Sequence, residues 1–112
     1  MKYLLSVYLD QDNWSACPDA CCAEYAQGLV NSGRLLAGEP LHPTTTATTV
    51  RVRQGKLALT DGPFAETKEM LAGFYLVEAE SLDQALEIAA GIPPARYGSI
   101  EVRPVRQLQV TP

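Results

Sequence analysis

Phe74, Tyr75, Leu76 and Val77 form an uninterrupted apolar run of strand length, and this run constrains the fold more than any other feature of the chain. A strand that is apolar at consecutive positions needs cover on both faces. Near the start, Tyr3, Leu5, Val7 and Leu9 alternate with Leu4, Ser6 and Tyr8, a period-two strand whose second face is also partly apolar. The sheet therefore needs a helical layer on one face and further cover on the other.

Two segments can supply that layer. From Asp19 to Asn31, Cys22, Tyr25, Ala26, Leu29 and Val30 repeat at the three-and-four spacing of an amphipathic helix. Pro18 fits its first turn and Gly33 its C-terminal cap. Ser81 and Gln84 have the spacing of a capping box, and Leu82, Ala85, Leu86 and Ala89 form the stripe of a second helix that Gly91 and Pro93-Pro94 end. Arg34 to Pro40 reads as a short strand, and Ser99 to Val105 as a last one alternating Ile100 and Val102 with Glu101 and Arg103.

Thr48 to Arg53 directs Val50 and Val52 one way and Arg51 and Arg53 the other. With Gln54-Gly55 as a two-residue turn, Val52 falls opposite Leu57 and Val50 opposite Leu59, so the apolar faces match. Gln is a weaker first turn residue than Asn or Asp, which leaves a bulged hairpin as the alternative. The order strand, helix, strand, hairpin, strand, helix, strand is an α+β, ferredoxin-like βαββαβ plan with a β-hairpin insertion. Both helices then pack on one sheet face. Leu4, Tyr8 and one of Phe74 and Tyr75 are left on the other, which predicts a two-fold homodimer with sheets packed face to face.

The chain has 112 residues, enough for one domain over 1–112 with a modest core. Its net charge of -4, with nine scattered basic residues, argues against nucleic-acid or anionic-membrane binding. No apolar run approaches the roughly 20 residues needed to span a bilayer, and Met1-Lys2-Tyr3 leads straight into a strand with no signal-peptide pattern, so a cytoplasmic location is expected. Cys17, Cys21 and Cys22 are too close together to staple distant parts of the fold, which suits a reducing compartment. They lack a second ligand pair at zinc spacing, so no metal is expected. Cys22 falls in the apolar stripe of the first helix, where a small core side chain is the expected role.

The functional signal lies in Asp61-Gly62-Pro63-Phe64-Ala65-Glu66-Thr67-Lys68-Glu69, a charged segment between the strand-like runs Leu57–Thr60 and Gly73–Glu78. Turn chemistry accounts for Asp61-Gly62-Pro63 but not for the six residues from Phe64 to Glu69. Glu66 and Lys68 can line a pocket beside Phe64, as an acid or base and an anion-binding donor, or form a surface ion pair. His42 is the only histidine and the natural general acid or base, oriented by Asp61 if the two meet. Arg51, beside Arg53, can hold a carboxylate or phosphate or be merely solvated. Glycine-rich phosphate loops, nucleophile elbows and metal triads are missing from the sequence, which removes most well-marked enzyme classes and leaves no cofactor expected.

The runs Met1–Leu5, Gly33–Gly38, Ala47–Arg51, Asp61–Glu69, Gly73–Tyr75 and Ile100–Pro104 together resemble the DGPF-type branch of the YCII-related proteins. The resemblance covers nearly the whole chain and is weakest at Asp10 to Asn31. It implies a ferredoxin-like, dimeric α+β barrel, small bacterial proteins of mostly unassigned activity, and members found near or fused to sigma factors. It also implies a His on the first helix paired with an Asp. That His falls at about Cys22 here and the helix has none, a departure from the family's pattern.

The residues support three functional readings. The first is a protein that binds a small polar or aromatic molecule in a cleft by the Asp61–Glu69 loop, with general acid/base catalysis open to it. The second is a non-catalytic regulatory module for a protein partner, linked to sigma-factor systems. The third makes the loop purely architectural, closing the dimer.

Overall fold

The computed structural model describes residues 1–110. Its elements run β1 (Lys2–Asp10), α1 (Asp19–Asn31), β2 (Leu35–Pro40), β3 (Thr48–Arg53), β4 (Lys56–Asp61), β5 (Glu69–Glu78), α2 (Leu82–Gly91) and β6 (Ser99–Pro104). Four strands form an antiparallel sheet in the order β2-β5-β1-β6, while β3 and β4 pair only with each other. With the hairpin set aside, this is the ferredoxin-like βαββαβ arrangement of an α+β fold.

Register decides which side chains the helices cover. Leu5 stands opposite Tyr75 and Val102, and Tyr3 opposite Val77, so these share the helical face. Tyr3, Leu5, Val7 and Leu9 are buried there with Leu29 of α1, Ala85, Ile88 and Ala89 of α2, and Ile92 just beyond it. Leu5, Val77 and Ile92 are the largest fully buried side chains, each contributing about 1.5–3 kcal/mol. Phe74 faces the other way, opposite Ser6, and with Leu4, Leu76 and Tyr8 forms a half-buried open face. Of the two aromatics that adjoin in sequence, Phe74 is the one on that face.

The helices differ in how they hold the sheet. In α2 the buried stripe is Ala85, Ile88 and Ala89, whereas Leu82 and Leu86 stay about half exposed. The stripe is thus rotated from the expected one: the line 85, 88, 89 continues into Ile92 and places all four on the sheet. Ser81 accepts a hydrogen bond from the Gln84 amide at 3.2 Å, and the Gln84 side chain accepts from the Glu80 amide at 2.8 Å, a capping box reaching one residue further back. Helix α1 begins after Pro18 and is held more loosely, with only Leu29 buried and Val30 exposed. The Tyr25 hydroxyl donates to the Ile88 carbonyl at 2.7 Å, tying α1 to α2. Gly91 lets that tyrosine ring lie against α2, because a Cβ there would overlap it.

The hairpin forms in the expected register, Val50 opposite Leu59 and Val52 opposite Leu57. Gln54 and Gly55 have φ of 53° and 75°, both in the left-handed region, so the turn is the tight two-residue form rather than a bulged one. Val50, Val52, Leu57 and Leu59 all remain exposed. The radius of gyration is 16.1 Å, against about 13 Å for a compact domain of this size, because the hairpin projects from a thin slab. Strand β5 begins at Glu69, earlier than the apolar run indicates, so residues 62–68 alone remain as the loop.

Candidate functional site

Two backbone segments wall a cavity between the hairpin base and the sheet. The Gly62 amide donates to the Ala47 carbonyl at 2.7 Å, and the Thr49 hydroxyl donates to the Gly62 carbonyl at 2.8 Å. These bonds close the hairpin base. The connection 41–47 and the loop 63–67 thereby become facing walls of a cavity of about 660 Å³. His42, Pro63 and Phe64 line it, with Tyr8, Glu69 and Met70 from the sheet. Phe64 is 79% exposed, an aromatic ring presented to the cavity with almost nothing packed on it.

Of the residues singled out in the sequence, His42 and Phe64 therefore meet in one place. Asp61 ends β4 opposite Thr48, outside the cavity walls, and no hydrogen bond joins it to His42 among the described residues. Glu66 and Lys68 are exposed in the loop and form no ion pair there among the described residues. Arg51 is half-buried on β3, also away from the cavity walls. Glu69 carries no site role in the sequence, yet it lines the cavity, and its carboxylate accepts from the Ser99 hydroxyl at 2.6 Å. Only the β5–β6 juxtaposition across β1 reveals that contact.

A second cavity, about 350 Å³, lies between α1 and the strands β2 and β5. Small residues make the space: Cys22, Ala23 and Ala26 on the helix, Gly38, Ala72 and Gly73 on the sheet. Cys22 is thus a cavity-wall residue rather than a filled core position. Asp19, Glu39 and Tyr75 supply its polar groups. The Cys17 and Cys22 sulfurs approach to 3.2 Å. Burial, the Cys17 contact and the neighbouring Cys17, Asp19 and Cys21 push the Cys22 thiol from its ordinary 9.0 to about 12. Burial, then the proximity of Cys22, Tyr25 and Cys17, likewise raises the Tyr75 hydroxyl from 10.0 to about 12. Both groups are neutral at physiological pH. Burial also raises Tyr25, partly offset by the Arg34 cation.

No group of three or more His, Cys, Asp or Glu that could hold a metal occurs among the described residues, and no helix among them is long and apolar enough to cross a membrane. Comparison with known proteins gives a curated relative, the uncharacterised protein R00369 of Rhizobium meliloti (strain 1021), 49% identical over 78 residues. The match takes in 68% of this chain and 63% of the relative, so it spans a little under two thirds of that protein's length. Among solved structures, 5-chloro-2-hydroxyhydroquinone dehydrochlorinase from Burkholderia phenoliruptrix AC1100, in complex with 2,5-dihydroxybenzoquinone, superposes with a TM-score of 0.58. That likeness covers 95% of this chain and 94% of the other at 18% identity, and it carries the fold. The YCII-related domain model matches residues 1–109, and this chain belongs to that family.

Proposed function

We propose that this protein binds a small polar, ring-bearing molecule in the cavity between the 41–47 connection and the Asp61-Gly62-Pro63-Phe64 loop. The observation that carries the reading is the convergence of His42, Phe64 and Glu69 on one cavity of about 660 Å³, a volume suited to a small organic ligand. Phe64 offers a face for stacking, and His42 an imidazole that can act as a general acid or base. Glu69, positioned by Ser99, accepts a hydroxyl hydrogen bond from the ligand. The structural neighbour's complex with a dihydroxybenzoquinone supports this ligand class by fold analogy. Proton transfer by His42 on such a ring is the chemistry the reading assigns.

The working unit in this reading is a homodimer. The half-buried Leu4, Phe74 and Leu76 leave one sheet face for a second copy, and an isolated two-stranded hairpin is marginal in water. The hairpin, residues 48–61, also carries three cations against one acid, Asp61, in a chain of net charge -4, so a net-basic, apolar arm meets an acidic partner surface. The same exposed arm favours a second reading, a non-catalytic regulatory module for a protein partner, linked to sigma-factor systems.

The test is a thermal-shift screen with hydroxylated aromatic and quinone compounds on the parent protein, His42→Ala and Phe64→Ala. A ligand at 100 times its Kd stabilises the fold by about 2.7 kcal/mol. A shift in the parent that Phe64→Ala loses supports the cavity. A shift unaltered in both variants, or none from any compound, overturns it.

A further inference from the structure

We propose that Cys17 and Cys22 form a reversible dithiol–disulfide site, oxidised by small disulfides of the glutathione class. The site is built by local geometry. The turn before it is held by the Asn13 amide donating to the Asp10 carboxylate at 3.0 Å and the Asn13 side chain donating to the Tyr97 carbonyl at 3.3 Å. Pro18 is extended, with ψ of 143°, and turns the chain so that Cys17 lies over the first turns of α1. The sulfurs are 3.2 Å apart, and a covalent bond of about 2.05 Å asks for a closure of about 1.2 Å.

The third cysteine is kept out by helix periodicity. Successive side chains point about 100° apart around a helix, so Cys21 lies beside Glu24 and Tyr25 while Cys22 faces Cys17 and the smaller cavity. Burial suppresses the Cys22 thiolate, which leaves the first attack to Cys17. In that step Cys17 loses its proton and bonds to one sulfur of the small disulfide, expelling the other half as a thiolate. Cys22 then loses its proton and bonds to the Cys17 sulfur, expelling the second half. Two protein thiols are oxidised, one small disulfide is reduced to two thiols, and the two protons go to the leaving thiolates. Because Cys22 belongs to the wall of the cavity under α1, closing the bond draws that wall toward residue 17.

The whole protein is equilibrated with glutathione buffers of increasing oxidised fraction, quenched with a maleimide and examined by intact mass and peptide mapping. The expected result is loss of two of the three alkylatable thiols, a Cys17–Cys22 linked peptide, a monomeric non-reduced chain, and full reversal on return to reduced buffer. Cys21→Ser should leave this unchanged, whereas Cys22→Ser should stop at a glutathione adduct on Cys17. Three alkylatable thiols at the most oxidising ratio, a stable adduct on the parent, or a bridge through Cys21 or between chains would overturn the proposal.

Discussion

Thr49 donates its hydroxyl proton to the Gly62 carbonyl at 2.8 Å, and that bond makes two separate segments into the walls of one cavity. Thr49→Val keeps the shape of the side chain and removes the donor. The expected cost to global stability is about 0.5–1.5 kcal/mol, read as a shift in the urea midpoint. The Gly62 amide should exchange with deuterium faster, since its partner at Ala47 is then held less firmly. An unchanged Gly62 exchange rate would mean that the bond does not close the hairpin base.

Tyr25 and Gly91 depend on each other. The tyrosine ring lies where a Cβ on residue 91 would sit, so Gly91→Ala should destabilise the protein by about 1–3 kcal/mol through overpacking. Tyr25→Phe alone should cost about 1 kcal/mol, by leaving the Ile88 carbonyl without its 2.7 Å partner. Because the two groups touch, the double variant should depart from additivity in a denaturation cycle. Additive losses would show that the helices do not press on each other there.

The cap on α2 gives a third test. Ser81→Ala removes the acceptor for the Gln84 amide, and a loss of about 1 kcal/mol is expected by thermal or urea unfolding. Ser81→Asp should restore most of it, since a carboxylate caps equally well and favours the helix N-terminus.

Alkaline pH should destabilise the protein, most strongly through Cys22 and Tyr75 and in the same direction through Tyr25. The Cys22 and Tyr75 protons leave the folded chain only near pH 12, against 9.0 and 10.0 ordinarily. Between those values the folded state binds more protons than the unfolded state, so stability falls as pH rises. Full stability is expected below about pH 9, with the loss complete above about 12. Tyr75→Phe should flatten the part of the slope that begins near pH 10, and a tyrosine absorbance titration of the parent should lose its latest-ionising group in that variant.

Much of this fold is legible in local sequence pattern. The alternation of Val50, Val52, Leu57 and Leu59 about Gln54-Gly55 specifies the hairpin register, because a strand's side-chain period is two and a one-residue slip would split the apolar face. The bounds Asp19–Asn31 are equally legible from Pro18 and Gly33. The stripe of α2 is not, since Leu82 and Leu86 are more apolar than the alanines that tight packing on the sheet selects. The candidate site divides in the same way. His42 and Phe64 stand out by residue type, but Glu69 enters through a contact with Ser99 that only sheet order creates. The smaller cavity could not be foreseen, because Ala23, Ala26, Gly38 and Gly73 line one space only when α1 is laid over β2 and β5.

A small ring-bearing ligand seated at His42 and Phe64 should be visible residue by residue. Amide chemical-shift mapping of the labelled protein, titrated with 2,5-dihydroxybenzoquinone and related hydroxylated aromatics, locates it. Saturable shifts confined to residues 41–49 and 63–71, abolished by Phe64→Ala, are expected. Shifts centred on Cys22, Ala26 and Gly38, or no saturable shift from any of these compounds, would rule out ligand binding at this cavity.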